Sequence, residues 1–216
     1  MFIALLIAAV VGYLLGSLPF GYLVARAKGV NIFEVGSKSS GATNVRRVLG
    51  NGLGNLVLAF DLAKGTAAAF APYGWRLFTG NSSDRFGPQE YGYFALAGMV
   101  GAVLGHSFSC FTGFRGGKGV ATGAGSFVVL FPLGVGIALL VWGATAALTR
   151  YVSLASMFAA ASLPISAYFL HQSPLLIGVS AVIAAFVVIR HQANISRLLA
   201  GTENKLGQSK TDELNP

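Results

Sequence analysis

Two stretches of this 216-residue chain gather the residue types that hold oxygen-rich anions. The first is GHSFSCFTGFRGGKGVATGAG, residues 105–125, in which glycines surround Arg115 and Lys118. Glycine lets backbone N–H groups approach a ligand with no Cβ in the way. Several N–H groups turned the same way, with a lysine beside them and a helix N-terminus following, make an anion nest. Arg115, Gly116, Gly117, Lys118 and Gly119 are therefore candidate phosphate ligands. The competing reading is a glycine turn needed only for close packing. A nucleotide P-loop is not the match. It needs GxxxxGK[ST] after a strand, whereas Lys118 is followed by Gly119 and the flanks are helical. The second stretch is GSKSSGATNVRRVLG, residues 36–50. Small hydrogen-bonding groups followed by Arg46 and Arg47 suit an anion of the same kind.

Four further constellations could do chemistry. Asp61 and Lys64 lie three apart, share a helix face and can pair. In a membrane helix such residues face the interior or water, so structural pairing and a site role both stand. His106 and Cys110 lie four apart. A Cys–His acyl-enzyme is one reading; a packing cysteine, with His106 structural or contacting a ligand anion, is the other. His191 follows Arg190 and precedes Asn194 by three. On a helix both could point into one site, with a neutral His as general base on an alcohol and the Asn holding an oxygen. The alternative is a basic anchor for anionic lipid. Ser153 and Ser156 share a helix face and either line a site or pack helices.

The elements that carry these residues belong to a membrane. The chain is 54% hydrophobic and 10% charged, with mean hydropathy +0.68. A soluble domain carries about 25% charged residues, so too little charge is present to coat a soluble surface. The single cysteine excludes an internal disulfide and a multi-Cys metal site. Apolar runs predict helices over 2–25, 53–72, 91–108, 119–131, 133–149, 152–170 and 174–189, with polar connections at 26–52 and 73–90 and a short surface helix near Asn194–Leu199. A run of 119–131 reaches only about 20 Å as a helix, so that element is short. If Pro132 separates it from the next, there are seven helices. Every Lys and Arg except Arg76, Arg85 and the intraspan Lys64 then falls on one side. That asymmetry places the N-terminus outside and the C-terminus in the cytoplasm. Both anion-binding stretches and the Arg190–His191 region are then expected at the cytoplasmic face. The expected architecture is an all-α integral membrane protein of seven transmembrane helices, with one domain over 1–205 and a disordered tail over 206–216.

Some chemistries are excluded by absence. The positions five after His106, His171 and His191 are Phe111, Leu176 and Ser196. The His-x4-Asp dyad of soluble-type glycerolipid acyltransferases is missing. The two-Asp signature of CDP-alcohol phosphotransferases is missing too, and acids and histidines are too few for a metal cluster. A small phosphate or anion transporter is the competing function class, and it would need a polar path at mid-membrane.

GSLPFGYLVAR (16–26), GSKSSGATNVRRVLG (36–50), DLAKG (61–65), GHSFSCFTGFRGGKGVATG (105–123), RYVSLASM (150–157) and RHQANISRLLAGTENK (190–205) together resemble the bacterial membrane acyl-phosphate:glycerol-3-phosphate acyltransferases, the PlsY family. The resemblance covers residues 12–205. It implies transfer of a fatty acyl group from acyl phosphate to the sn-1 hydroxyl of glycerol 3-phosphate in phospholipid biosynthesis, giving lysophosphatidic acid and phosphate. It implies a bacterial inner-membrane enzyme with a cytoplasmic site. No metal or cofactor, no nucleic acid and no obligate protein partner is called for; glycerol 3-phosphate, fatty acyl phosphate and membrane lipid are. Matched by position, Ser37, Arg47, His191 and Asn194 are expected to be catalytic. Thr43, Asn44, His106, Arg115, Gly116, Gly117, Lys118, Gly119, Ser153 and Ser156 are expected at the substrates, and Glu203, Asp61 and Lys64 to be structural. One departure is Ser39, where many members carry Asn; a hydroxyl replaces the amide there.

Overall fold

A computed structural model describes residues 1–79 and 86–207, and their regular structure is helical. The chain forms two compact units, Met1–Pro132 and Leu133–Pro216, where the sequence suggested one domain over 1–205. The first unit holds α1 (Phe2–Ser17), α2 (Phe20–Arg26), α3 (Ala42–Leu49), α4 (Asn51–Thr79), α5 (Pro88–Ser107) and α6 (Val120–Leu130).

The first apolar run is not one helix. It breaks between Ser17 and Phe20 because Pro19 has no N–H and its ring obstructs the preceding turn. Two carbonyls at the break are met from elsewhere. Ser109 Oγ donates to Ser17 O at 2.6 Å, and Lys64 Nζ donates to Leu18 O at 2.9 Å. Helices in lipid associate through close backbone packing rather than through a hydrophobic drive. Accordingly α1 meets α5 where Gly12 lies on Gly98 and Gly16 on Ala102, and α4 meets α6 where Gly65 lies on Thr122 and Gly125 on Leu62. A Cβ at any of these glycines would overlap the facing backbone. The opposite face of α1 exposes Phe2, Ile3, Leu6 and Ile7, an apolar surface suited to acyl chains.

Two expected connections are partly helical. The stretch 26–52 contains α3, and α4 continues seven residues beyond Pro72, taking Arg76 out of the expected 73–90 loop. Asp84 and Arg85 of that loop lie outside the described residues. Pro72 cannot donate to Ala68 O, and Gly98 of α5 packs against that carbonyl.

The second unit holds α7 (Pro132–Thr149), α8 (Val152–Phe169), α9 (Pro174–Arg190) and α10 (Gln192–Leu199). Pro132 opens α7, so residues 119–149 are two helices separated at Phe131. After α10 the chain folds back. Arg150 Nη2 donates to Leu206 O at 2.7 Å and Leu206 N donates to Arg150 O at 2.7 Å. Leu206 is thus tied to the chain just before α8; 208–216 lie outside the described residues.

Among the described residues, five segments are long and apolar enough to cross a membrane: Phe2–Arg26, Asn51–Phe78, Pro88–Thr112, Pro132–Thr149 and Val152–Phe169. Pro174–Arg190 with Gln192–Leu199, bent by 57°, is a sixth if the pair is one span. Val120–Leu130, expected as the short seventh, is an apolar helix of 11 residues.

Candidate active site

The Ser-rich loop before α3 is organised from inside by Asn44. This side chain is 2% exposed. Its Oδ1 accepts from Ser37 N at 2.8 Å, and its Nδ2 donates to Ser39 O, Val35 O and Ile32 O at 2.9, 3.1 and 3.3 Å. Asn44, expected at the substrate phosphate, has its amide engaged by the loop backbone. Gly36, at φ +58°, packs on Asn44 Oδ1, where a Cβ would overlap it. Beneath lies a small apolar core of Ala25, Ile32, Phe33, Val45 and Val57. Thr43 and Arg47, four apart, share the other face of α3, and Thr43 is exposed. Arg46 points elsewhere, its Nη2 donating to Asn55 Oδ1 at 2.7 Å. Asn44→Ala leaves several polar groups of the loop without partners. At about 1–3 kcal/mol for each one that stays buried, it is expected to lower the thermal unfolding midpoint in detergent by several degrees. An unchanged midpoint would remove the organising role.

The glycine loop is tied to this first loop by Arg115. Its guanidinium stacks 4.4 Å above the Phe33 ring and Nη2 donates to Phe33 O at 3.1 Å. Arg115 thus joins the two loops. Gly116 sits on the carbonyls of His106 and Ser107. Gly117 N donates to His106 O at 3.1 Å, and a Cβ on residue 117 would overlap His106 Nε2. Close packing therefore accounts for these two glycines directly. Gly119 is different. It adopts φ +82°, a left-handed conformation that favours glycine, and it caps α6 without any side-chain bond. The first N–H groups of a helix have no partner within it. Lys118, half-buried, stands immediately before this N-terminus.

His106 is 6% exposed, with Nδ1 3.4 Å from Asp61 Oδ1. Asp61 also pairs with Lys64 at 2.8 Å, as the three-residue spacing suggests. Cys110 is exposed on a single turn, Cys110–Thr112, while the His106 ring faces Asp61 and Gly117. That geometry does not make a Cys–His nucleophile.

In the second unit the polar residues centre on Glu203, which is 7% exposed. Its Oε1 accepts from Asn194 Nδ2 at 2.6 Å and from Ser153 Oγ at 2.8 Å; its Oε2 accepts from Arg197 Nε at 2.7 Å. Burial pushes the carboxyl up. The bonds from Asn194, Ser153 and Arg197, with the Arg197 charge, outweigh it and hold the carboxyl below its ordinary value. Ser153 thus serves Glu203, and Ser156 Oγ donates to Val152 O at 2.8 Å within its own helix. His191 stands three residues before Asn194, as the N-cap of α10. It is the joint between α9 and α10, and its carbonyl accepts from Asn194 N at 2.8 Å. Its Nδ1 lies 2.7 Å from Val187 O. A carbonyl only accepts, so Nδ1 carries the proton, and Nε2 is the nitrogen that can accept one. Sequence reasoning did not single out Arg197 or Ser109. Both act across loops, where no periodicity marks them.

Among the described residues the regular structure is helical, with five to six apolar candidate spans, the make-up of an integral membrane protein. A family model described as glycerol-3-phosphate acyltransferase matches residues 6–201. The chain belongs to that family, and it is an acyltransferase. It is 44% identical to a glycerol-3-phosphate acyltransferase of Fusobacterium nucleatum over 197 residues, covering 91% of this chain and 95% of the relative. It is 46% identical to one of Thermosynechococcus vestitus over 206 residues, covering 94% and 95%. Among solved structures it is similar to PlsY, an integral membrane glycerol 3-phosphate acyltransferase, in its glycerol 3-phosphate form. The TM-score is 0.82 at 34% identity, covering 98% of this chain and 99% of that one. It is also similar to the lysophosphatidic acid form of PlsY, with a TM-score of 0.79.

Proposed function

We propose that this protein transfers a fatty acyl group from an acyl phosphate to the sn-1 hydroxyl of glycerol 3-phosphate. The hydroxyl oxygen attacks the acyl carbonyl carbon, the carbon–oxygen bond to phosphate breaks, and lysophosphatidic acid and inorganic phosphate leave. The observation that carries this reading is the pair of separate cationic loops, 36–47 and 115–119, set on apolar helices. Two phosphorylated substrates, one of them a lipid, call for such a pair. Glycerol 3-phosphate and lysophosphatidic acid in the similar PlsY structures support the acceptor and the product.

In this reading Lys118, Gly119 and the α6 N-terminus receive the phosphate of glycerol 3-phosphate, with Gly116 and Gly117 setting the loop's path. Ser37, Thr43 and Arg47 bind at the first loop, where Arg47 offsets phosphate charge. His191 Nε2 or a substrate phosphate accepts the hydroxyl proton, and Asn194, oriented by Glu203, stands with His191. An acyl phosphate is an activated mixed anhydride, so positioning and charge stabilisation suffice without a covalent enzyme intermediate.

Seven membrane-embedded helices, with α6 as the short one, best reconcile the charge asymmetry. The N-terminus lies outside the bacterial inner membrane; the C-terminus and the site face the cytoplasm. The family match crosses the boundary at Pro132, which supports reading 1–205 as one functional domain. A transporter would instead use the intraspan charges as a path. Asp61 and Lys64 are 2% and 6% exposed and spent on each other, His106 and Leu18 O, which argues against one. Purified protein given palmitoyl phosphate and glycerol 3-phosphate is expected to release lysophosphatidate and phosphate in equal amounts. No product, with phosphate uptake into proteoliposomes, would replace this function by transport.

A further inference from the structure

Three buried ionisable side chains of the first unit have no part in the reaction as written above. Lys64, Asp61 and His106 form a line from the α1–α2 break to the glycine loop. Lys64 Nζ bonds Leu18 O at 2.9 Å, Asp61 Oδ1 lies 2.8 Å from Lys64 Nζ, and His106 Nδ1 lies 3.4 Å from the same Oδ1. His106 then meets Gly117 twice. Its carbonyl receives the Gly117 N–H at 3.1 Å, and its Nε2 occupies the space a Cβ of residue 117 would fill. The orientation of the imidazole therefore limits how the loop backbone lies, and Asp61 faces the ring nitrogen that fixes that orientation.

Packing alone does not require ions here. Charged residues inside membrane helices are costly, and apolar side chains of similar volume often replace a buried pair without loss. A carboxylate held between an ammonium and an imidazole does something apolar residues do not: it sets a ring angle. We propose that Asp61 and His106 are positioning residues for the glycine loop. They tune its affinity for the phosphate of glycerol 3-phosphate while leaving the acyl donor untouched. This rests on the reading of that loop as the glycerol 3-phosphate cradle.

The test is steady-state kinetics on the purified full-length protein in detergent, varying each substrate in turn. Asp61→Asn and His106→Ala are expected to raise KM for glycerol 3-phosphate by about tenfold to a hundredfold, as small misplacements of binding groups do. KM for palmitoyl phosphate should stay near the parent value. His106→Asn keeps a donor near the Nδ1 position and is expected to fall between His106→Ala and the parent. Asp61→Asn leaves Lys64 buried without its counter-charge, so Asp61→Asn/Lys64→Met, which removes both charges, repeats the test without that defect. An unchanged KM for glycerol 3-phosphate, an equal rise in both KM values, or loss of folded protein in every variant overturns the proposal. Lys118→Met separates the two levels. If it leaves KM for glycerol 3-phosphate unchanged, the cradle reading fails. If it raises that KM while the Asp61 variants do not, the cradle stands and the positioning role falls.

Discussion

His191→Asn is expected to lower kcat by about two to four orders of magnitude, the range over which a positioned general base contributes. Asparagine is the informative replacement. Its amide N–H can still reach toward Val187 O, the acceptor of the native Nδ1–H at 2.7 Å, so the α9–α10 joint keeps its internal bond. What is lost is Nε2 as a proton acceptor. His191→Ala removes both, and it should add instability to the same kinetic loss, because His191 is 3% exposed and its space would be left empty. Turnover is measured with palmitoyl phosphate and glycerol 3-phosphate on protein whose unfolding midpoint matches the parent. If His191→Asn turns over at the parent rate, the proton goes to a substrate phosphate, and His191 serves only to join the helices.

Apolar run length made most spans legible, and Pro132 marked a true helix boundary. Two kinds of feature stayed out of reach. The first is helix hidden in polar sequence. α3 is only eight residues long, in a Gly/Ser-rich stretch that reads as loop, and its Asn44 is held by backbone groups up to 12 residues away. Conversely, Pro72 looked like a stop, yet α4 passes through it, and Gly98 of α5 packs against the Ala68 carbonyl that the proline cannot bond. The second is how a polar side chain is spent. Sequence marks Asn44, Arg115 and Ser153 as hydrogen-bonding groups near anion-like motifs. Only the fold shows the first organising a loop, the second joining two loops, and the third supporting Glu203. By contrast, the Asp61–Lys64 pair follows from helical spacing alone and forms as read.

Glu203→Ala is expected to be the most destabilising single substitution in the second unit. The native carboxylate is the shared acceptor for Asn194, Ser153 and Arg197. Its removal takes from the buried Asn194 amide and Ser153 hydroxyl the acceptor they share, at about 1–3 kcal/mol each. Arg197 is more than one third exposed, so water takes over much of its share and it adds little. A total of about 2–6 kcal/mol is large beside the stability of an ordinary domain, about 5–15 kcal/mol. Any folded remainder should also be slow, because Asn194 loses the bond that orients it beside the His191 joint. Glu203→Gln keeps an oxygen for Asn194 and Ser153 but turns an amide N–H toward Arg197, so it should recover part of the stability. The pH dependence has a definite sign. Because the folded carboxyl lies below its ordinary value, its contribution is complete above the unfolded pKa, about 4.3, and is lost as pH falls through the lower folded value. The gap in unfolding midpoint between the parent and Glu203→Ala should therefore be flat from about pH 7 to about pH 5.5 and close in stronger acid. A gap that instead grew as pH fell would mean that Glu203 is held protonated in the fold, and the three-donor account of its role would be wrong.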